Sequence, residues 1–213
     1  MTANIDWVKA LNPLQKKYKG KKHPLEYKNY YQLLVMVVLS AQDSDKHINQ
    51  LAPPLFEAFP NMESLSRAAP ESLFKHLNSV RNFGNKIKWL IGLSQKIESD
   101  KNIPFTMEEL TALQGIGRKS ANVIIREAGK PAAGIIVDLH VVRVAPRIGI
   151  VTGTDPVKIE KQLMAQLPEK LWGEIGMAFS FLGREICRPT NPHCTECILN
   201  KVCAFYTNSK KSK

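Results

Sequence analysis

The stretch "LQGIGRKSANVII", Leu113–Ile125, decides how the chain should fold. Gly115 and Gly117 bracket one apolar residue between an incoming apolar segment and an outgoing one. That is the pattern of a helix-hairpin-helix. Glycine lets the backbone turn tightly and come close to a phosphate, and the N–H groups that open the second helix then face the anion. Such a contact touches backbone and carries no sequence information. A plain turn between two helices would look much the same. In a chain with a formal charge of +11, however, the spacing favours DNA, with Gly115, Gly117 and Arg118 as candidate phosphate contacts.

Outward from the hairpin, helix signals dominate. Thr106 followed by Glu109 matches a capping box, and Asp155-Pro156 reads as an N-cap with proline at the first helical position. Apolar spacings of three and four recur over Leu65–Leu77 and Trp89–Ile97, and no long period-two alternation appears. The expected fold is therefore all-α. Prolines at 53, 54, 60, 70, 104, 131, 146 and 168 are expected to divide the chain into segments of one helix each.

At 213 residues and 44% apolar content the chain can bury a real core. Its longest apolar run, Leu33–Leu39, falls far short of the roughly 18 residues of a membrane span. No charged-then-apolar leader opens it, so a cytoplasmic, nucleoid-associated protein that touches no membrane is expected. The basic charge crowds Lys16, Lys17, Lys19, Lys21 and Lys22, a candidate phosphate-touching arm or a solvated face. Lys210, Lys211 and Lys213 read as a frayed tail.

Two further sets of residues carry chemistry. Lys119 lies near the start of the second hairpin helix, where the positive end of the helix lowers an amine pKa. A nucleophile must be a neutral amine, and half-neutrality near pH 7.5 requires a shift of about 3 units, or roughly 4 kcal/mol. Asp138, after the apolar triplet Ile135-Ile136-Val137, is either its carboxylate partner or simply the cap of a helix starting at Leu139. All four cysteines, Cys187, Cys194, Cys197 and Cys203, lie close to the C-terminus. Only Cys194-x2-Cys197 has the form of a zinc knuckle; the wide outer arms suit a larger iron–sulfur group, with zinc or unmetallated thiols as the alternatives.

These signals coincide in one family. The chain resembles endonuclease III, the helix-hairpin-helix DNA glycosylase and abasic-site lyase, from about Tyr30 to Cys203, through "GIGRK", "VDLH" and the C-x6-C-x2-C-x5-C spacing. The resemblance implies a two-domain fold: a six-helix domain over 22–134, and a cluster domain formed by 1–21 with 135–213. It implies that the four cysteines hold a [4Fe-4S] cluster that presents a DNA-contacting loop, Arg188–His193. It implies that Lys119 attacks C1′ of a flipped nucleotide, that Asp138 answers the charge developing on the sugar, and that β-elimination follows through an imine. The "SAQDSD" segment matches the family's SAQ-x-x-D pattern, which makes Gln42 the residue that fills the gap left by the flipped nucleotide. The implied partner is double-stranded DNA with a damaged base or abasic site, bound by a monomer, and oxidised or ring-saturated pyrimidines are the expected lesions.

The chain also departs from the family pattern. Gln114 replaces a proline, Leu139 a threonine and Leu182 a histidine, and Asn82 stands at the place of an apolar wedge. A small amide offsets unstacking less well than an apolar side chain does. An adenine-specific mismatch glycosylase is the nearest competing enzyme, but it typically lacks a lysine at the hairpin and carries a long further domain. A non-catalytic hairpin module that only binds DNA is the competing reading of another class.

Overall fold

The computed structural model describes residues 5–211, so Lys213 in the basic tail lies outside the described residues. Among the described residues every regular element is helical. The helices are α1 (Trp7–Ala10), α2 (Asn12–Tyr18), α3 (Tyr30–Ser40), α4 (Asp45–Ala58), α5 (Met62–Ser66), α6 (Pro70–Leu77) and α7 (Phe83–Ile97). They continue with α8 (Met107–Thr111), α9 (Arg118–Glu127), α10 (Leu139–Ile148), α11 (Pro156–Gln166), α12 (Trp172–Glu185) and α13 (Ala204–Lys211). The chain divides into two compact units: Lys22–Lys130, and the residues up to Lys21 together with those from Pro131 onward.

The Lys22–Lys130 unit is organised around α3. Its residues Leu33–Leu39 are buried on every side of the helix, as an apolar run without periodicity requires. Each such side chain contributes roughly 1.5–3 kcal/mol relative to exposure. α4, α7 and α9 pack against α3, and the Tyr31 hydroxyl donates to the Phe59 carbonyl at 2.7 Å.

In the other unit α12 is the central element, buried from Ile175 to Gly183 and packed on α10 and α2. A Cβ on Gly176 would lie 2.3 Å from the Ile136 carbonyl oxygen, so only glycine admits the Ile135–Val137 segment this close to α12. The five early lysines are all exposed, and two of them reach a carboxylate on α12. Lys21 pairs with Glu185 at 2.6 Å and Lys17 approaches the same carboxylate at 3.9 Å, while the Tyr18 hydroxyl donates to it at 2.8 Å.

Three local expectations need correction. Pro53 and Pro54 lie inside α4, and Pro146 lies inside α10, so these prolines do not end helices. Proline removes its own N–H and so frees the carbonyl four residues earlier. Here those carbonyls belong to Asn49, Gln50 and Val142, which are partly or fully exposed, so solvent can satisfy them. Burial of Ile48, Ala52, Leu55 and Phe56, and of Val141, Val144, Ala145 and Ile148, holds the opposite faces. At α8 the Glu109 N–H reaches the Thr106 hydroxyl at 3.3 Å, but the Glu109 carboxylate takes that same hydroxyl at 2.6 Å and leaves the box half made. The reciprocal capping box occurs instead at α5, between Asn61 and Ser64. Asp155 caps α11 by accepting from the Lys158 N–H at 2.8 Å, with Pro156 opening the helix.

Candidate functional site

The hairpin is built by two glycines doing different work. Gly115 has φ +82, and a Cβ there would lie 2.8 Å from the Trp89 ring, so both backbone conformation and space require glycine. Gly117, at φ −91, caps α9 in extended conformation with open space where a side chain would go. Ile116 is buried between them. Gln114 is accommodated: the turn closes through the Ile116 N–H on the Leu113 carbonyl at 3.2 Å. The first N–H groups of α9 have no carbonyl one turn earlier in the helix to pair with. Arg118 and Lys119 occupy the first two positions of α9, and both are exposed.

Asp138 is held from two sides. Its Oδ1 accepts from the His140 N–H at 2.8 Å and the Val141 N–H at 2.9 Å, which caps α10. Its Oδ2 accepts from the Ser180 hydroxyl at 2.6 Å. Ser180 is fully buried on α12, and sequence reasoning missed it. The one available signal was a hydroxyl inside the apolar run "MAFSFLG". The neighbouring Leu139, which departs from the family pattern, is 70% exposed and covers nothing.

The four cysteines are free thiols that line one pocket with apolar walls from Val144, Ile148 and Leu182. Leu182, another of the departures, thus belongs to this pocket wall. Burial pushes the Cys194, Cys197 and Cys203 thiols up, and the neighbouring thiols add to it. Among the described residues no group of three or more His, Cys, Asp or Glu side chains forms a site for a single metal ion.

Two arginines one turn apart on α10 grip the start of this segment, and neither was singled out from sequence. Arg143 donates to the Cys187 and Gly183 carbonyls, both at 2.9 Å. Arg147 donates to the Arg188 carbonyl at 2.8 Å and the Pro189 carbonyl at 3.0 Å, and its guanidinium faces the Cys187 sulfur at 3.7 Å. The Arg188–His193 loop is closed at its base, because the Arg188 and His193 N–H groups share the Ile186 carbonyl at 2.9 and 3.0 Å. The Arg188 side chain is left exposed.

Gln42 and Asn82 lie on two loops of the Lys22–Lys130 unit, both in left-handed backbone at φ 60 and φ 58. Asn82 opens α7, and its amide oxygen accepts from the Asn85 amide at 2.9 Å. Among the described residues no helix is long and apolar enough to cross a membrane.

The profile of the HhH-GPD superfamily base excision DNA repair proteins matches residues 35–169. The chain is 37% identical over 192 residues to endonuclease III of Synechocystis sp., across 89% of this chain and 88% of that one. A non-covalent endonuclease III–DNA complex superposes with a TM-score of 0.86 at 30% identity, covering 96% of this chain and 97% of the other. A trapped endonuclease III–DNA covalent intermediate, an estranged-adenine complex, gives 0.85 at 29% identity, with the same coverage of both chains. With hairpin, aspartate and cysteine segment in one all-helical chain that these relatives match nearly end to end, the chain belongs to the HhH-GPD superfamily of base excision DNA repair proteins and, within it, to the endonuclease III family of DNA glycosylases.

Proposed function

We propose that the protein is a bifunctional glycosylase and abasic-site lyase, acting as a monomer on duplex DNA that carries a damaged base, with oxidised or ring-saturated pyrimidines as its substrates. The observation that carries this reading is the hairpin, which sets an exposed lysine on the second residue of α9 directly after a glycine turn open to phosphate. Gly115, Gly117, Arg118 and Arg188 would contact the phosphates, and Gln42 and Asn82 the opened base stack. The net charge of +11 supports such a partner.

In this reading the neutral Lys119 amine attacks C1′ as the glycosidic bond breaks and the base departs with the electron pair. The sugar opens to an imine on Nζ, and loss of the 2′ proton then expels the 3′ phosphate. Asp138 stabilises the positive charge on the sugar during base loss, since a carboxylate fixed in advance needs no reorganisation at that moment. Its anchoring to two backbone N–H groups and to Ser180 suits that role.

The chemistry of the donor set fits a [4Fe-4S] cluster: four free thiols around one apolar pocket, with Arg143 and Arg147 against the backbone that carries them. Bound by Cys187, Cys194, Cys197 and Cys203, such a cluster would cross-link the segment and order the Arg188–His193 loop. The unit formed by the two chain ends would then be the cluster domain of a nucleoid-associated cytoplasmic enzyme.

Borohydride trapping on abasic-site duplex tests the reading. The wild type should yield a covalent protein–DNA adduct, and Lys119→Gln, which keeps length and loses the amine, should abolish it while keeping DNA affinity. An adduct formed by Lys119→Gln at the wild-type rate would overturn the assignment.

A further inference from the structure

Lys86, on α7, is 1% exposed, yet it has no carboxylate within salt-bridge distance among the described residues. Its ammonium instead donates to the Leu39 and Ala41 carbonyls, both at 2.7 Å. These carbonyls close the C-terminal end of α3, where the last peptide oxygens have no partner within the helix and the dipole favours a cation. Burial pushes the Lys86 amine down, while the Asp43 charge acts against that.

Asp43 lies two residues beyond Ala41, and its bonds cross to the loop before α7. Its Oδ2 accepts from the Arg81 N–H at 3.1 Å. Its Oδ1 accepts from the Ser44 N–H at 2.8 Å and faces the His47 ring at 2.8 Å. The other nitrogen of that ring meets the Ser79 hydroxyl at 3.2 Å. Two separate connections therefore tie the end of α3 and the loop after it to the start of α7 and the loop before it. Between these connections lie Gln42 and Asn82, both in left-handed backbone.

Left-handed backbone at a residue other than glycine persists only where its surroundings fix it. A buried cation is a poor source of stability, because desolvation offsets its attraction. What Lys86 and Asp43 do supply is a fixed spacing between the two loops.

We propose that Asp43 and Lys86 are positioning residues, holding the Ala41–Ser44 and Ser79–Asn82 loops as one rigid edge so that Gln42 and Asn82 enter a duplex together at the nucleotide being extruded. This rests on the reading of Gln42 and Asn82 as contacts to the opened stack. Two loops ordered in advance lose no further freedom when DNA binds, so the duplex rather than the protein deforms.

The test uses a duplex with 2-aminopurine opposite a tetrahydrofuran site, which cannot react, so that fluorescence reports unstacking of the orphaned base. Saturating wild-type protein should raise the signal. Asp43→Asn and Lys86→Met should each lower that rise at least about three-fold and lower kcat for base excision about ten-fold, with affinity for undamaged duplex retained. Lys86→Arg, which keeps a cation with several donors, should restore most of the signal. The double variant should be no worse than the weaker single one, because both break the same unit. A full wild-type rise in Asp43→Asn and Lys86→Met overturns the clamp, and where Lys86→Met does not fold, Asp43→Asn decides alone. If the wild type itself leaves the fluorescence unchanged, the reading of Gln42 and Asn82 has failed, and the clamp falls with it.

Discussion

The Ser180 hydroxyl donates to Oδ2 of Asp138 at 2.6 Å, from the middle of α12 to the first residue before α10. A hydrogen bond to a charged group is worth about 1.5–3 kcal/mol. Ser180→Ala should therefore lower the rate of base excision at least about ten-fold in single-turnover assays, while cleavage of a pre-formed abasic site suffers less. The melting temperature should also fall by several degrees, since the folded protein loses the same bond, but the variant should still fold, because alanine fits a helix interior well. An unchanged excision rate would show that Oδ2 needs no fixed orientation.

Gly115 and Gly117 should separate stability from binding. Gly115→Ala places a Cβ against Trp89 in left-handed backbone, so urea unfolding should show a loss of roughly 2–4 kcal/mol. Gly117→Ala meets no obstruction within the protein and should leave stability within about 0.5 kcal/mol. It should nevertheless weaken binding to undamaged duplex, because its methyl group intrudes where a phosphate approaches the backbone. Equal melting and equal binding in both variants would contradict the arrangement.

Arg147→Ala removes the donors to the Arg188 and Pro189 carbonyls together with the charge facing Cys187. Groups that orient metal ligands typically alter metal retention ten- to hundred-fold, roughly. With the proposed cluster bound by the four cysteines, the variant should lose iron to a chelator about ten-fold faster than the wild type, followed by visible absorbance. Cys194→Ser should bleach faster still.

The paired carboxylates predict the acid limb of stability. Burial pushes Glu185 up, but the Lys21 ammonium and the Tyr18 hydroxyl outweigh this and hold it below its usual 4.5. Asp43 is likewise held below 3.8 by the His47 ring and the Arg81 and Ser44 N–H groups, against the effect of burial. Both groups favour the ionised form when folded. Their contribution is complete above those usual values and is lost as pH falls through the depressed ones. Glu185→Gln should flatten the decline of the urea midpoint between about pH 5 and pH 3.

What could be read in advance depended on distance along the chain. The hairpin, the Asp138 cap and the Asp155-Pro156 start are local patterns, complete within a few residues, and the structure has all three. Ser180, Arg143, Arg147 and Lys86 act on partners about forty residues away or more, and nothing in their immediate neighbours marks them. The prolines at 53, 54 and 146 misled for a related reason: packing of the far helix face, which local sequence does not display, outweighs the missing hydrogen bonds.

The pairing of α2 with α12 also sets an order of events at the ribosome. Tyr18 and Lys21 meet Glu185 across 167 and 164 residues of chain. At roughly 5–20 residues per second, α2 is made on the order of ten seconds before the helix that covers it. Leu11, Leu14 and Tyr18, buried in the finished protein, stay uncovered on the nascent chain for that interval. The Lys22–Lys130 unit consists of unbroken chain and needs no such delay. Translation therefore closes the middle of the polypeptide first, and the two ends join only when the last helices have emerged.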